Sequence, residues 1–209
     1  MKIKICGLNP TRDVQTCIDL NVHFLGFVFY DKSPRNTELK EISVLKKYNP
    51  KTSHYVSVCV DPTDNFIQEN ILRNFEYIQL HGSETIERVK KIKKMGIKVI
   101  KAIKVKEQKD VALYKNYEDI ADQILFDSTS MEKSKSIPKD LLRKLPKGEK
   151  FGLAGAINLE NVQEYSQLGF NFLDLSSGLE RENVKGYKDH LKIKNFINKV
   201  NEINENTSV

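Results

Sequence analysis

Tryptophan is absent from the chain and cysteine is scarce: Cys6, Cys17 and Cys59 are an odd number and share no C-x-x-C spacing. That excludes a disulfide framework and a zinc knuckle. The four histidines, at 23, 54, 81 and 190, stand too far apart to form a local metal motif, so no metal is expected. No apolar run approaches the roughly 18 residues that a membrane helix needs. The opening Met1-Lys2-Ile3-Lys4-Ile5 alternates like a strand, and no apolar stretch with a small-residue cleavage site follows it. Glycine-rich nucleotide cradles are missing too, so nothing requires a nucleotide cofactor. These absences leave a cofactor-free cytoplasmic protein as the expectation.

What is present is charge: 30% of the residues are charged and the net charge is +6. A basic balance can signal nucleic acid, but here the lysines are interleaved with acids, as in "ERVKKIKKMG". Ile86, Val89 and Ile92 recur on the opposite face of that segment, which is the pattern of a solvated helix. A modest positive field suits an anionic small substrate equally well.

The apolar segments alternate between strand-length runs and longer helical patterns. The runs are 2–6, 24–29, 55–60, 77–81, 98–103, 123–127, 151–155 and 172–176. Between them, helix signals open after Thr11, Pro62, Ser83 and Asn158, and Gly96 and Gly169 close two of the helices. Eight strand–helix units of about 25 residues give a single-domain (β/α)8 barrel over 1–209; a doubly wound open sheet, the competitor, needs fewer strands.

In such a barrel chemistry gathers at the carboxyl ends of the strands, because the interior is packed solid. That singles out Cys6 after the first run, Arg35 in the next loop, His81 ending the fourth run and Asp127 ending the sixth. Each has a plainer reading. A buried cysteine is commonly a small hydrophobe, and an Asp after a strand commonly caps the next segment. Arg35 is either a surface charge or, through its planar fork, a carboxylate clamp; His81 suits a core histidine bonded to a neighbour. "LAGAINLEN" places Gly155 and Ala156 directly before a helix start, and "LSSGLE" places Ser176, Ser177 and Gly178 after the last strand. Small residues there let N–H groups approach an anion, and these two loops are the frequent phosphate site of barrels.

At these residues the chain resembles the phosphoribosylanthranilate isomerase family of tryptophan biosynthesis. The matching pieces are "KICG" (4–7), "GFVFYDKSPR" (26–35), "IQLHG" (78–82), "LFDS" (125–128), "LAGAINLENV" (153–162), "DLSSGLE" (174–180) and "KGYKDHLKIKNFI" (185–197), in family order. The resemblance implies an Amadori rearrangement with Asp127 as general acid and Cys6 as general base. A thiol near about 8.5 needs only modest stabilisation to yield a useful thiolate. It also implies that Arg35 holds the anthranilate carboxylate, that Gly155, Ala156, Ser176, Ser177 and Gly178 bind phosphate, and that His81 and Asp174 join the substrate-binding set. Neither nucleic acid nor a membrane is expected as a partner, and monomer and homodimer both stay open.

A related histidine-pathway isomerase uses two aspartates, the first on strand one, and Cys6 in that place stands against it. A catalytically impaired barrel kept for binding or assembly is the reading from another class. Two departures bear on it. The loop after Asp127, "STSMEKSKSIPKDLLRKLP", has no glycine where the family has a glycine-rich cover. A Gly-Gly turn is Gly155-Ala156 here, which Ala tolerates if its φ is negative.

Overall fold

The computed structural model describes residues 1–128 and 136–207. Eight strands follow one another in order: β1 (Lys2–Cys6), β2 (Phe24–Phe29), β3 (His54–Cys59), β4 (Tyr77–Leu80), β5 (Lys98–Val105), β6 (Gln123–Ser128), β7 (Gly148–Ala154) and β8 (Phe170–Leu175). Every neighbouring pair is parallel, and β8 closes on β1 with Lys2 opposite Phe172 and Ile5 opposite Leu175. Among the described residues five α-helices lie in the crossovers, α1 (Val14–Asp19), α2 (Asp64–Phe66, running into a π turn at Ile67–Ile71), α3 (Ile86–Lys93), α4 (Lys139–Lys144) and α5 (Val162–Ser166), and a sixth, α6 (His190–Thr207), follows β8.

Two crossovers depart from an α-helix. Leu39–Lys47 and Gln108–Asn116 are 3-10 helices. The first buries only Ile42 and Leu45, spaced by three, and the second only Val111. A stripe that narrow matches a three-residue turn and gives an α-helix little to bury.

Alternation along each strand sorts the core into two clusters. Outward residues such as Ile3, Ile5, Leu25 and Phe27 pack beneath the helices. Inward residues fill the barrel, among them Phe24, Val56, Tyr77, Ile100, Leu125 and Phe172. At the floor, Phe172 occupies the space that Gly152 leaves open: a Cβ on that glycine would stand 2.2 Å from the Phe172 ring. The Phe24 ring sits 5.4 Å from both Tyr77 and Phe172. Among the described residues no helix is long and apolar enough to cross a membrane.

Candidate active site

Cys6 is the last residue of β1 and points inward, half-buried, at the carboxyl end of the barrel. The glycine after it is required twice over. Gly7 has φ +75°, and a Cβ there would stand 2.5 Å from Cδ of Arg35. Two residues below Cys6 on the same face is Lys4, fully buried, with Nζ donating to Asp174 Oδ2 at 2.8 Å. Burial acts to lower Lys4, but the charges of Asp174 and Cys6 outweigh it and hold the ammonium above its ordinary value. Burial pushes the Cys6 thiol up, against the downward pull of Lys4, Lys188 and Arg35. The thiol thus sits above its ordinary value, where the sequence reading expects a thiol eased downward; loss of water around sulfur costs the thiolate more than the cations return.

Across the mouth, His81 follows β4 and its Nε2 lies 3.0 Å from Asp127 Oδ2 on β6, both side chains half-buried. Asp174, on β8, acts electrostatically on both groups: Asp127 and His81 influence its carboxyl, and it influences Cys6. Its second oxygen, Oδ1, is buried with no protein hydrogen-bond partner.

Arg35 does not point its fork freely into the mouth. Nε and Nη2 donate to the two oxygens of Glu180 at 2.5 and 3.0 Å. Glu180 is buried, and Lys188 Nζ approaches its Oε1, the oxygen that Arg35 Nε also holds, at 3.5 Å. Burial alone would raise Glu180, yet the bonds and charges of Arg35 and Lys188 hold its carboxyl below the usual range. A clamp for a substrate carboxylate is therefore left with the Nη1 edge of Arg35. Glu180, Lys188 and Lys4 are absent from the sequence-derived site, although all three stand inside the quoted matching pieces.

The two glycine-bearing loops meet. A Cβ on Gly178 would lie 2.7 Å from the carbonyl oxygen of Ile157, and one on Gly155 2.7 Å from Ser128 Oγ. After β8 a single 3-10 turn, Ser177–Leu179, begins, so the N–H groups of Ser177 and Gly178 precede its first closing bond, Leu179 N to Ser176 O. Two expectations about the other loop are corrected. Ala156 has φ +52°, not a negative value, beside Gly155 at φ +107°. The helix also does not start directly after them, since α5 begins at Val162. Asn158 Oδ1 accepts from the N–H groups of Glu160 and Asn161, and Asn161 Oδ1 accepts from Asn158 N, which holds 158–161 in turns. The cover expected after Asp127 falls mainly on 129–135, outside the described residues. Among the described residues no group of three His, Cys, Asp or Glu side chains could hold a metal ion.

Comparison with known proteins gives one family. The profile described as PRAI, N-(5'phosphoribosyl)anthranilate (PRA) isomerase, matches residues 3–199. The N-(5'-phosphoribosyl)anthranilate isomerase of Aquifex aeolicus (strain VF5) is 35% identical over 208 residues, covering 94% of this chain and 97% of its own. The phosphoribosyl anthranilate isomerase structure from Thermotoga maritima superposes with a TM-score of 0.84 at 28% identity, over 97% of this chain and 99% of its own. Another solved isomerase, in complex with reduced 1-(o-carboxyphenylamino)-1-deoxyribulose 5-phosphate, gives a TM-score of 0.80 at 28% identity, over 97% of this chain and 99% of its own.

Proposed function

This chain belongs to the N-(5'-phosphoribosyl)anthranilate isomerase family, and from that premise we propose that Asp127 and Cys6 divide the acid and base work of its reaction. The reaction is the Amadori rearrangement of N-(5'-phosphoribosyl)anthranilate, an aldose–ketose isomerisation in tryptophan biosynthesis. Asp127 protonates the furanose ring oxygen; the C1–O bond breaks and C1 becomes an iminium. Cys6, as thiolate, takes the proton from C2, giving an enolamine. Protonation at C1 and loss of the C2 hydroxyl proton then give the ketone, 1-(2-carboxyphenylamino)-1-deoxyribulose 5-phosphate.

One observation carries this assignment: Cys6, last in β1, and Asp127, next to last in β6, lie on the inward face of the same barrel end, each within electrostatic reach of the buried Asp174. His81, bonded to Asp127, orients the acid. The unpartnered Asp174 Oδ1 accepts from a sugar hydroxyl, since a buried carboxylate oxygen without a partner is costly until a donor reaches it. The N–H groups around Gly155, Ala156, Ser176, Ser177 and Gly178 seat the phosphate, and Nη1 of Arg35 meets the anthranilate carboxylate. Binding of the reduced product analogue by a similar barrel supports this layout. The chain works in the cytoplasm on a soluble substrate, as a monomer or homodimer.

A fluorescence assay of anthranilate-sugar consumption tests the roles. Cys6→Ser and Asp127→Asn each lower kcat by roughly a hundredfold or more with the fold intact, as loss of an acid or base does. Parental turnover in either variant removes that residue from the mechanism.

A further inference from the structure

Five charged side chains surround the Cys6 sulfur and its immediate neighbours, and they do not balance. Lys4 is matched by Asp174 at 2.8 Å. Arg35 takes both oxygens of Glu180. That leaves Lys188, whose side chain is 0% exposed and whose approach to Glu180, at 3.5 Å, is the long one. Its nearer contacts are neutral: Ser176 O at 3.0 Å and Ser176 Oγ at 3.4 Å. The same Ser176 hydroxyl donates to the carbonyl of Cys6 at 3.1 Å, so the ammonium is fastened to the backbone of the thiol residue through one hydroxyl. A buried cation sharing another residue's carboxylate is expensive unless a further anion completes the group.

We propose that this anion is the Cys6 thiolate, and that Lys188 is a positioning residue whose charge favours the thiolate over the thiol when the base forms for proton abstraction. The proposal deepens the reading above and rests on Cys6 being the base. The groups facing the thiol are Lys4 on its own strand, Asp174 on β8, Arg35 after β2 and Lys188 before α6. Lys188 is faced by Glu180, Cys6 and Arg35, and it also pulls down the Cys17 thiol on α1, which burial and Asp13 hold up. Burial draws Lys188 down while the charges of Glu180 and Cys6 support it, which agrees with a cation in need of one more negative partner.

Alkylation of Cys6 by iodoacetamide across pH, followed by peptide mass spectrometry on the full chain without substrate, tests this independently of turnover. Cys17 and Cys59 are buried, and burial pushes Cys59 up to about 12, so neither competes for reagent. Removing one opposite charge raises a thiol by one unit or more, so Lys188→Met slows alkylation at pH 7.5 by about tenfold and moves the profile to higher pH. It leaves Lys4–Asp174 and Arg35–Glu180 as neutral pairs, so the fold survives, and thermal unfolding checks that. Lys188→Arg keeps the charge and keeps the parental profile. In kcat, the limb that requires the deprotonated base moves to higher pH with the alkylation profile. A Lys188→Met protein with the parental profile, or one changed only in KM, overturns the proposal, and so does a Lys188→Arg profile that follows Lys188→Met. Parental turnover by Cys6→Ser instead overturns the assignment of the base and leaves the alkylation result standing.

Discussion

Ala156 holds a backbone angle of +52°, where an L side chain crowds the following carbonyl at a cost of about 1–2 kcal/mol. Ala156→Gly removes that crowding and loses part of the gain to the freer unfolded chain. The expected result is a stabilisation of about 0.5–1 kcal/mol by urea unfolding; a loss of stability would mean that the methyl group packs usefully. Glu180 gives a pH prediction. Its folded carboxyl is held below the ordinary value, so the unfolded chain binds the proton more readily. The stabilisation is fully present above the unfolded value of 4.5 and is lost as pH falls through the folded one. Unfolding free energies of parent and Glu180→Gln should therefore converge on acidification below 4.5; curves that stay parallel would deny the carboxylate this role. Neither side of this ion pair is legible in sequence, because Arg35 and Glu180 are 145 positions apart. Lys4 was hidden differently. In "KIKIC" it reads as the solvated half of an alternating strand, as Lys2 is, but in a closed barrel that half faces the interior.

At the scale of the element, the strands were readable to within a few residues, because inward and outward faces are both apolar and both leave runs in the sequence. The crossovers were less so. Asn158 and Asn161 look like the start of a helix and instead hold each other in a turn, a competition that side chains of this kind settle locally. The β4–α3 connection, which carries His81, depends on a pair that periodicity does not reveal. Lys101, on the outward face of β5, donates to Glu84 at 2.7 Å and to the carbonyl of Gly82 at 3.0 Å. Glu84 accepts in turn from the N–H groups of Asp61 and Gly82. Both side chains are within 4% of full burial. Glu84→Ala leaves an uncompensated ammonium in the core and should cost roughly 3–5 kcal/mol in chemical denaturation, because breaking a buried pair strands its partner. A cost under about 1 kcal/mol, the range of exposed pairs, would show that water reaches Lys101.

For the whole molecule, the barrel rule is what made the site legible. Once eight strands are assigned, the ends of β1, β4, β6, β7 and β8 are forced to one rim, and residues scattered from Cys6 to Gly178 become neighbours without any pairwise clue. The ion pairs that link the loops carry no such rule and needed coordinates. The aromatic floor at Phe24, Tyr77 and Phe172 has a kinetic corollary. It makes the barrel a vessel with one door: whatever leaves must clear the same threshold that the next molecule is waiting to cross. Ketose product and aldose substrate therefore exclude each other by occupancy, and reciprocal plots at rising product should pivot on a shared maximum velocity. A pivot anywhere else would mean that both sugars can be aboard at once.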